Sequence, residues 1–140
     1  MVGFKVIEDG ASADYEFEAT APSVEELFGI CGQATFAAMT EIEKVRHAEE
    51  IKFEVQAGTL EDLLFSFLSE LIYIKDTQRL FLGKFDVAID GRYHLTCRAR
   101  GERIDENLHV IKTDVKAATY HQMKISKIDS GYYAHAILDL

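Results

Sequence analysis

Residues 59–74 read TLEDLLFSFLSELIYI, and this stretch decides what kind of fold the chain can adopt. Leu60, Leu63, Leu64, Phe67, Leu68, Leu71 and Ile72 recur at helical spacing, while Phe65, Tyr73 and Ile74 extend the apolar surface around much of the circumference. Thr59 followed by Asp62 supplies a helix-start signal. A helix this apolar must be covered on several sides. An oligomer or partner surface could cover its second face, but the core reading is preferred, because the chain's other amphipathic pieces need something to pack on. The helix is therefore expected to lie across a sheet as the hydrophobic centre of one domain spanning residues 1–140.

The flanking sequence supplies what would cover it. Ser23 and Glu26 form an S-x-x-E capping box, and Val24, Leu27, Phe28, Cys31, Ala34 and Ala38 continue as the apolar stripe of a first helix to about Met39. Strands are predicted at residues 4–8, from Tyr15 onward, and over residues 51–55, where apolar and charged residues alternate. Residues 84–89 and 93–99 also alternate, and the Asp90-Gly91 pair between them predicts a two-residue hairpin turn. His94, Arg98 and Arg100 would share a solvated outer face of the second of these strands. Residues 42–50 read as a charged connection with a solvated His47, and residues 101–111 as a loop. The fold class is α+β, with two main helices packed on antiparallel sheet.

Composition narrows the function. With 48% hydrophobic residues and a single proline, the chain should fold compactly. Its formal net charge of -9 repels nucleic acid and anionic membranes, so a basic partner is the better electrostatic match. Cys31 and Cys97 lack metal-knuckle or redox-pair spacing and read as reduced core thiols. The amino-terminal MVGFKVIEDG shows no apolar signal core, and no run reaches the roughly 18 apolar residues that cross a bilayer. The expectation is a cytoplasmic protein with no membrane contact.

Chemistry-bearing residues concentrate in residues 112–125, KTDVKAATYHQMKI, read as a strand that pairs with residues 132–138 across the turn at Asp129-Ser130-Gly131. That pairing would leave Asp139 and Leu140 near Lys112 and Lys116. Asp14, where a turn hands over to the second strand, is a third acidic site, although a turn aspartate commonly bonds its own backbone. If Asp14 approaches the C-terminal pair, converging carboxylates call for a divalent cation, and oxygen donors favour magnesium, manganese or calcium over zinc. Lys112 and Lys116 could neutralise carboxylates or grip a phosphate, and His121 with Tyr120 could do acid-base work. No phosphate-cradling loop, H-E-x-x-H or nucleophile elbow is present, so no catalytic residue is assigned.

The chain resembles the archease family, small proteins that assist the RNA ligase joining tRNA exon halves. Residues 109–123, HVIKTDVKAATYHQM, resemble the family run H-x-x-K-T-E-V-K-A-x-T-Y-H-x-M. Residues 60–71, the RARGE of residues 98–102 and the closing Leu138-Asp139-Leu140 fit at the right distances. The resemblance implies a non-enzymatic activator that promotes guanylylation and multiple turnover of the tRNA-splicing RNA ligase, meeting tRNA only through that ligase. It further implies a divalent-metal site formed by Asp14, Asp139 and the terminal carboxylate of Leu140, with Lys116, and less directly Lys112 and His121, as residues acting on the ligase. Ala11 stands where the family's H-T-A-D motif has histidine. Two other readings compete: a metal-dependent phosphohydrolase with His121 as general base, and a general chaperone or protein-binding module acting through apolar surface beside the second helix.

Overall fold

The computed structural model describes residues 2–7 and 14–140, so the expected Asp9-Gly10 turn and residues 11–13, including Ala11, lie outside the described residues. Among the described residues the chain runs β1 (Gly3–Ile7), β2 (Asp14–Ala21), α1 (Val24–Ala37), β3 (Glu49–Gln56), α2 (Leu60–Gln78), β4 (Leu80–Asp90), β5 (His94–Arg103), β6 (Ala117–Ala118), β7 (Lys124–Ile128) and β8 (Gly131–Asp139). All pairings are antiparallel. In one sheet β1, β2 and β8 lie side by side, and β6 and β7 share the other edge of β8. In the second sheet β5 lies between β3 and β4.

Both helices begin at their expected caps. The Ser23 hydroxyl accepts the Glu26 amide at 3.1 Å, and the Thr59 hydroxyl accepts the Asp62 amide at 3.1 Å. The Glu26 carboxylate accepts the Ser23 hydroxyl at 3.2 Å. Helix α2 ends at Arg79, whose left-handed backbone (φ 55) lets its amide reach the Lys75 carbonyl. Between these ends Leu63, Leu64, Phe67, Leu68 and Leu71 are completely buried. Phe67 lies 5.6 Å from the Phe28 ring of α1 and 5.9 Å from the Phe53 ring of β3, so it joins the first helix to the second sheet. Alanines at 19, 21, 134 and 136 make the inner face of β2 and β8 shallow where the core packs on it. Cys31 and Cys97 are buried free thiols.

Three expectations are corrected. The β4–β5 hairpin has a three-residue loop: Asp90 pairs with His94, and Gly91 and Tyr93 both take positive φ. Strand β5 continues to Arg103, so residues 101–103 are not loop. The 112–125 stretch is not one strand. Its start is extended chain because the Lys112 and Thr113 amides bond the carbonyls of Met39 and Ala38 just past α1, acceptors that a helix end leaves open. Farther on, Ala118 pairs with Leu138 but Lys124 with His135, so six steps along one strand answer to three along the other. The surplus loops outward through Gln122 (φ 56). Tyr120, in this loop, stacks on Phe65 of α2 with ring centroids 3.9 Å apart.

Close approach explains one glycine of the RARGE segment. Strand register shifts between Leu82 and Lys84, leaving Gly83 as the extra residue of a bulge opposite Gly101. A Cβ at Gly101 would fall 1.9 Å from the Phe81 carbonyl oxygen. Gly101→Ala is expected to destabilise the protein by on the order of 3 kcal/mol through overpacking. Urea unfolding of the purified variant would show it, and an unchanged midpoint would refute the close approach.

Candidate functional site

The antiparallel ladder settles where the acidic residues go. Strand β2 opens on Asp14 and β8 closes on Asp139, and the register sets these two residues directly opposite one another. Facing residues of an antiparallel pair project from the same face, with Cβ atoms about 5 Å apart. Both aspartates are exposed. On the other edge of β8, Ala117 of β6 faces Asp139, and the Lys116 amide donates to the Asp139 carbonyl at 2.8 Å. The C-terminus is tied down: Leu138 is completely buried, and the half-buried Leu140 packs against the core. Asp14, Asp139, Leu140 and the Lys116 backbone therefore come together at one end of the sheet.

Lys112 and His121 do not join them through any contact the structure shows. Lys112 lies at the end of α1, where its ammonium approaches the Ala37 carbonyl at 3.4 Å. His121 is exposed in the outward loop, which the register sets opposite residues 135–138 of β8 and not opposite Asp139.

The donor set suits a hard cation. It offers side-chain carboxylates from Asp14 and Asp139 and the terminal carboxylate of Leu140, all oxygen. Among the described residues no group of three or more His, Cys, Asp or Glu side chains could by itself hold a metal ion.

Beside the aspartates, the same outer face carries a polar network that the sequence reading missed. Glu16 and Glu18 of β2 follow Asp14 at alternate positions, with Tyr133 and His135 of β8 on the same face. The His135 Nε2 lies 2.6 Å from the Glu16 carboxylate and its Nδ1 2.8 Å from the Gln122 carbonyl oxygen. Both partners only accept, so both ring nitrogens must donate, which is the imidazolium form. Burial alone would lower the His135 pKa; the Gln122 carbonyl, the Glu16 carboxylate and the Glu18 charge outweigh it and hold the pKa above its ordinary value. The Tyr133 hydroxyl donates to Glu18 at 2.7 Å, and burial together with that carboxylate pushes its pKa up to about 12. Alternation along β2 and β8 signalled the outward positions, but partners 119 residues apart are invisible until register is known.

A second histidine has the opposite arrangement. His109 is buried; its Nδ1 accepts the Asp105 amide at 3.0 Å, and its Nε2 faces the Glu102 carboxylate at 2.9 Å. That pattern is a neutral ring with its proton on Nε2. Burial acts to raise the Glu102 pKa, but the Arg46 amide, His109 and the Arg46 charge bring it below the usual value. Lys75, in the last turn of α2, is likewise buried and paired with Asp76 and Asp114. The basic patch read at His94 and Arg100 proves to be paired with Glu54, Asp90 and Glu50. The thiols offer no nucleophile, since burial pushes Cys31 up to about 12, and burial with the Asp86 charge does the same to Cys97. No described helix is long and apolar enough to cross a membrane.

Known proteins match nearly the whole chain. The model of the Archease protein family (MTH1598/TM1083) matches residues 4–140. The archease of Pyrococcus furiosus is 39% identical over 123 residues, covering 86% of this chain and 87% of that one. The archease of Methanothermobacter thermautotrophicus is 38% identical over 143 residues, covering 100% of both. The solution structure of Methanobacterium thermoautotrophicum protein 1598 superposes with a TM-score of 0.87 at 38% identity, covering 100% of both chains. A Thermotoga maritima crystal structure, described as an archease and possible chaperone, shares the fold with a TM-score of 0.65 at 20% identity, covering 97% of this chain and 96% of that one.

The His135 geometry has a pH consequence. A folded-state pKa raised above the unfolded value near 6.5 stabilises fully below that pH and is lost as pH rises through the folded value. The stability advantage of the wild type over His135→Gln should therefore be largest in acid and shrink toward alkaline pH. Thermal melts across pH 5.5 to about 8 would show this, and a gap that widens with pH would contradict the imidazolium assignment.

Proposed function

The chain belongs to the archease protein family, and on that premise we propose that it is a protein cofactor of the tRNA-splicing RNA ligase. It promotes guanylylation of the ligase and returns it for repeated joining of tRNA exon halves. The bond-making chemistry belongs to the ligase, and tRNA is met only through it. The observation that carries this reading is the register pairing of Asp14 with Asp139 beside the C-terminus. Like charges directly opposite each other in a sheet are destabilising, and a strand pair that keeps two aspartates there suits a site for a cation.

In this reading Asp14, Asp139 and the Leu140 carboxylate hold calcium, magnesium or manganese. The bound cation would supply positive charge that offsets the carboxylates and can be shared with phosphate oxygens at the ligase. The chain's own residues set the geometry. Paired backbones on both edges of β8 keep Asp139 from fraying, and the Tyr15 hydroxyl, donating to the Ala34 carbonyl at 2.8 Å, holds the start of β2 against α1. Lys116, whose amide touches Asp139, is the lysine best placed to act on the ligase; Lys112 and His121 lie outside the cluster.

The His121 position also argues against the phosphohydrolase reading, which needs a base at the metal-bound water. The protein-binding reading draws support from one run of exposed apolar residues, Leu108, Val110 and Ile111. Suppression of aggregation of unrelated proteins would favour a general chaperone over a dedicated cofactor.

The deciding experiment adds a substoichiometric amount of this protein to the purified RNA ligase from the same source and follows guanylylation and turnover. Stimulation beyond one ligation per ligase is expected, and Asp14→Ala, folded as judged by circular dichroism, should bring the rate back to that of the ligase alone. Undiminished stimulation by the folded variant would overturn the acidic site's role.

A further inference from the structure

We propose that Lys75 is a positioning residue for the acidic site, holding residues 114–116 where the Lys116 amide clamps Asp139. Lys75 projects from the last turn of α2 and is only 3% exposed. Its ammonium lies 2.6 Å from Asp76, 2.6 Å from Asp114 and 3.1 Å from the Val115 carbonyl oxygen. These three acceptors take all three of its N–H donors. Asp114 itself is 65% exposed, so the tie runs from inside the protein outward to a segment that has no strand ladder at that point.

The link to the site is covalently short. Val115 gives its carbonyl to Lys75 and buries its side chain completely. The next residue, Lys116, donates its amide to the Asp139 carbonyl, and Ala117 then pairs with Asp139, whose other edge faces Asp14. The ties before Asp114, from the amides of Lys112 and Thr113, run to the chain just past α1 and do not set the distance to β8. The partners of Lys75 are Asp76, Asp114 and the Val115 carbonyl, so its influence on Asp139 passes through the 114–116 backbone. A buried ammonium that lost Asp114 would keep Asp76 and the Val115 carbonyl, whereas the segment would lose its charged anchor.

The consequence for cation binding and ligase activation rests on the cofactor function proposed above; the positioning itself does not. The test compares Lys75→Met, Asp114→Asn and the charge-conserving Asp114→Glu in the full chain. Amide hydrogen exchange at Lys116 should quicken by about 10-fold or more in the first two, while amides of α1 and the β4–β5 hairpin stay within about twofold of wild type. Calcium titration calorimetry should show affinity about 10-fold weaker in the same two variants and near wild type in Asp114→Glu. If Lys75→Met fails to fold, Asp114→Asn carries the comparison, since Lys75 keeps two partners there. Wild-type exchange at Lys116 in a folded variant overturns the proposal, and so does faster exchange with unchanged calcium affinity. Failure of the wild type to bind calcium, magnesium or manganese would instead sink the cation reading, and the exchange measurement would still decide the role of Lys75.

Discussion

The burial of α2 is the constraint on which the rest of this protein depends. A 19-residue helix with an apolar surface around much of its circumference cannot be left against solvent on two sides. Phe67 shows how the demand is met, since it touches a ring from α1 and a ring from β3 at once. Once α2 is enclosed, its polar ends become fixed points inside or beside the core. The first turn offers Glu61 and Asp62, and the last turn offers Lys75.

Those ends explain why the segment richest in chemistry is not a strand. Glu61 accepts the Ile125 amide at 3.3 Å, Phe65 stacks under Tyr120, and Lys75 takes Asp114 and the Val115 carbonyl. Residues 114–125 are thus laid along one helix and pinned near both of its ends, meeting β8 through β6, β7, the amides of Lys116 and Thr119 and the Gln122 carbonyl. Backbone groups that would otherwise form a ladder serve the end of α1 or turn outward at Gln122. A segment held by side chains and helix ends can follow an irregular path, which is how it brings the Lys116 amide to the end of β8 while leaving its lysine side chains exposed.

The outer face of the β2–β8 pair shows two ways for a sheet to carry several carboxylates. Glu16 and Glu18 are matched by His135 and Tyr133, donors from the neighbouring strand at hydrogen-bond distance. Asp14 and Asp139 face one another across the strand pair. On this face the two glutamates reach their donors diagonally across the strand pair, whereas the two aspartates stand directly opposite one another at the strand ends. His109 illustrates the same logic in a closed setting. There an amide donor on one side and a carboxylate on the other fix a neutral tautomer.

Local pattern was enough to read both helices, their caps, the alternating strands, the buried thiols and the inward face of β2, because each depends on residues within a few positions of one another. It also pointed to the acidic ends, through the type of residue and the family run at residues 109–123. Pairing was a different matter. That Asp14 meets Asp139, that His135 meets Glu16 and that Lys75 meets Asp114 are consequences of register and helix placement, which bring together residues distant along the chain. The break in the 112–125 stretch was hidden for the same reason: it read as a strand paired across the turn at residues 129–131, but its first amides found acceptors past α1, and only the packed helix determines where those carbonyls lie. The sequence by itself determined which segments must be buried and which residues could carry charge. The tertiary structure decided which of those charges face one another, because distance across a fold is set by packing and not by position along the chain.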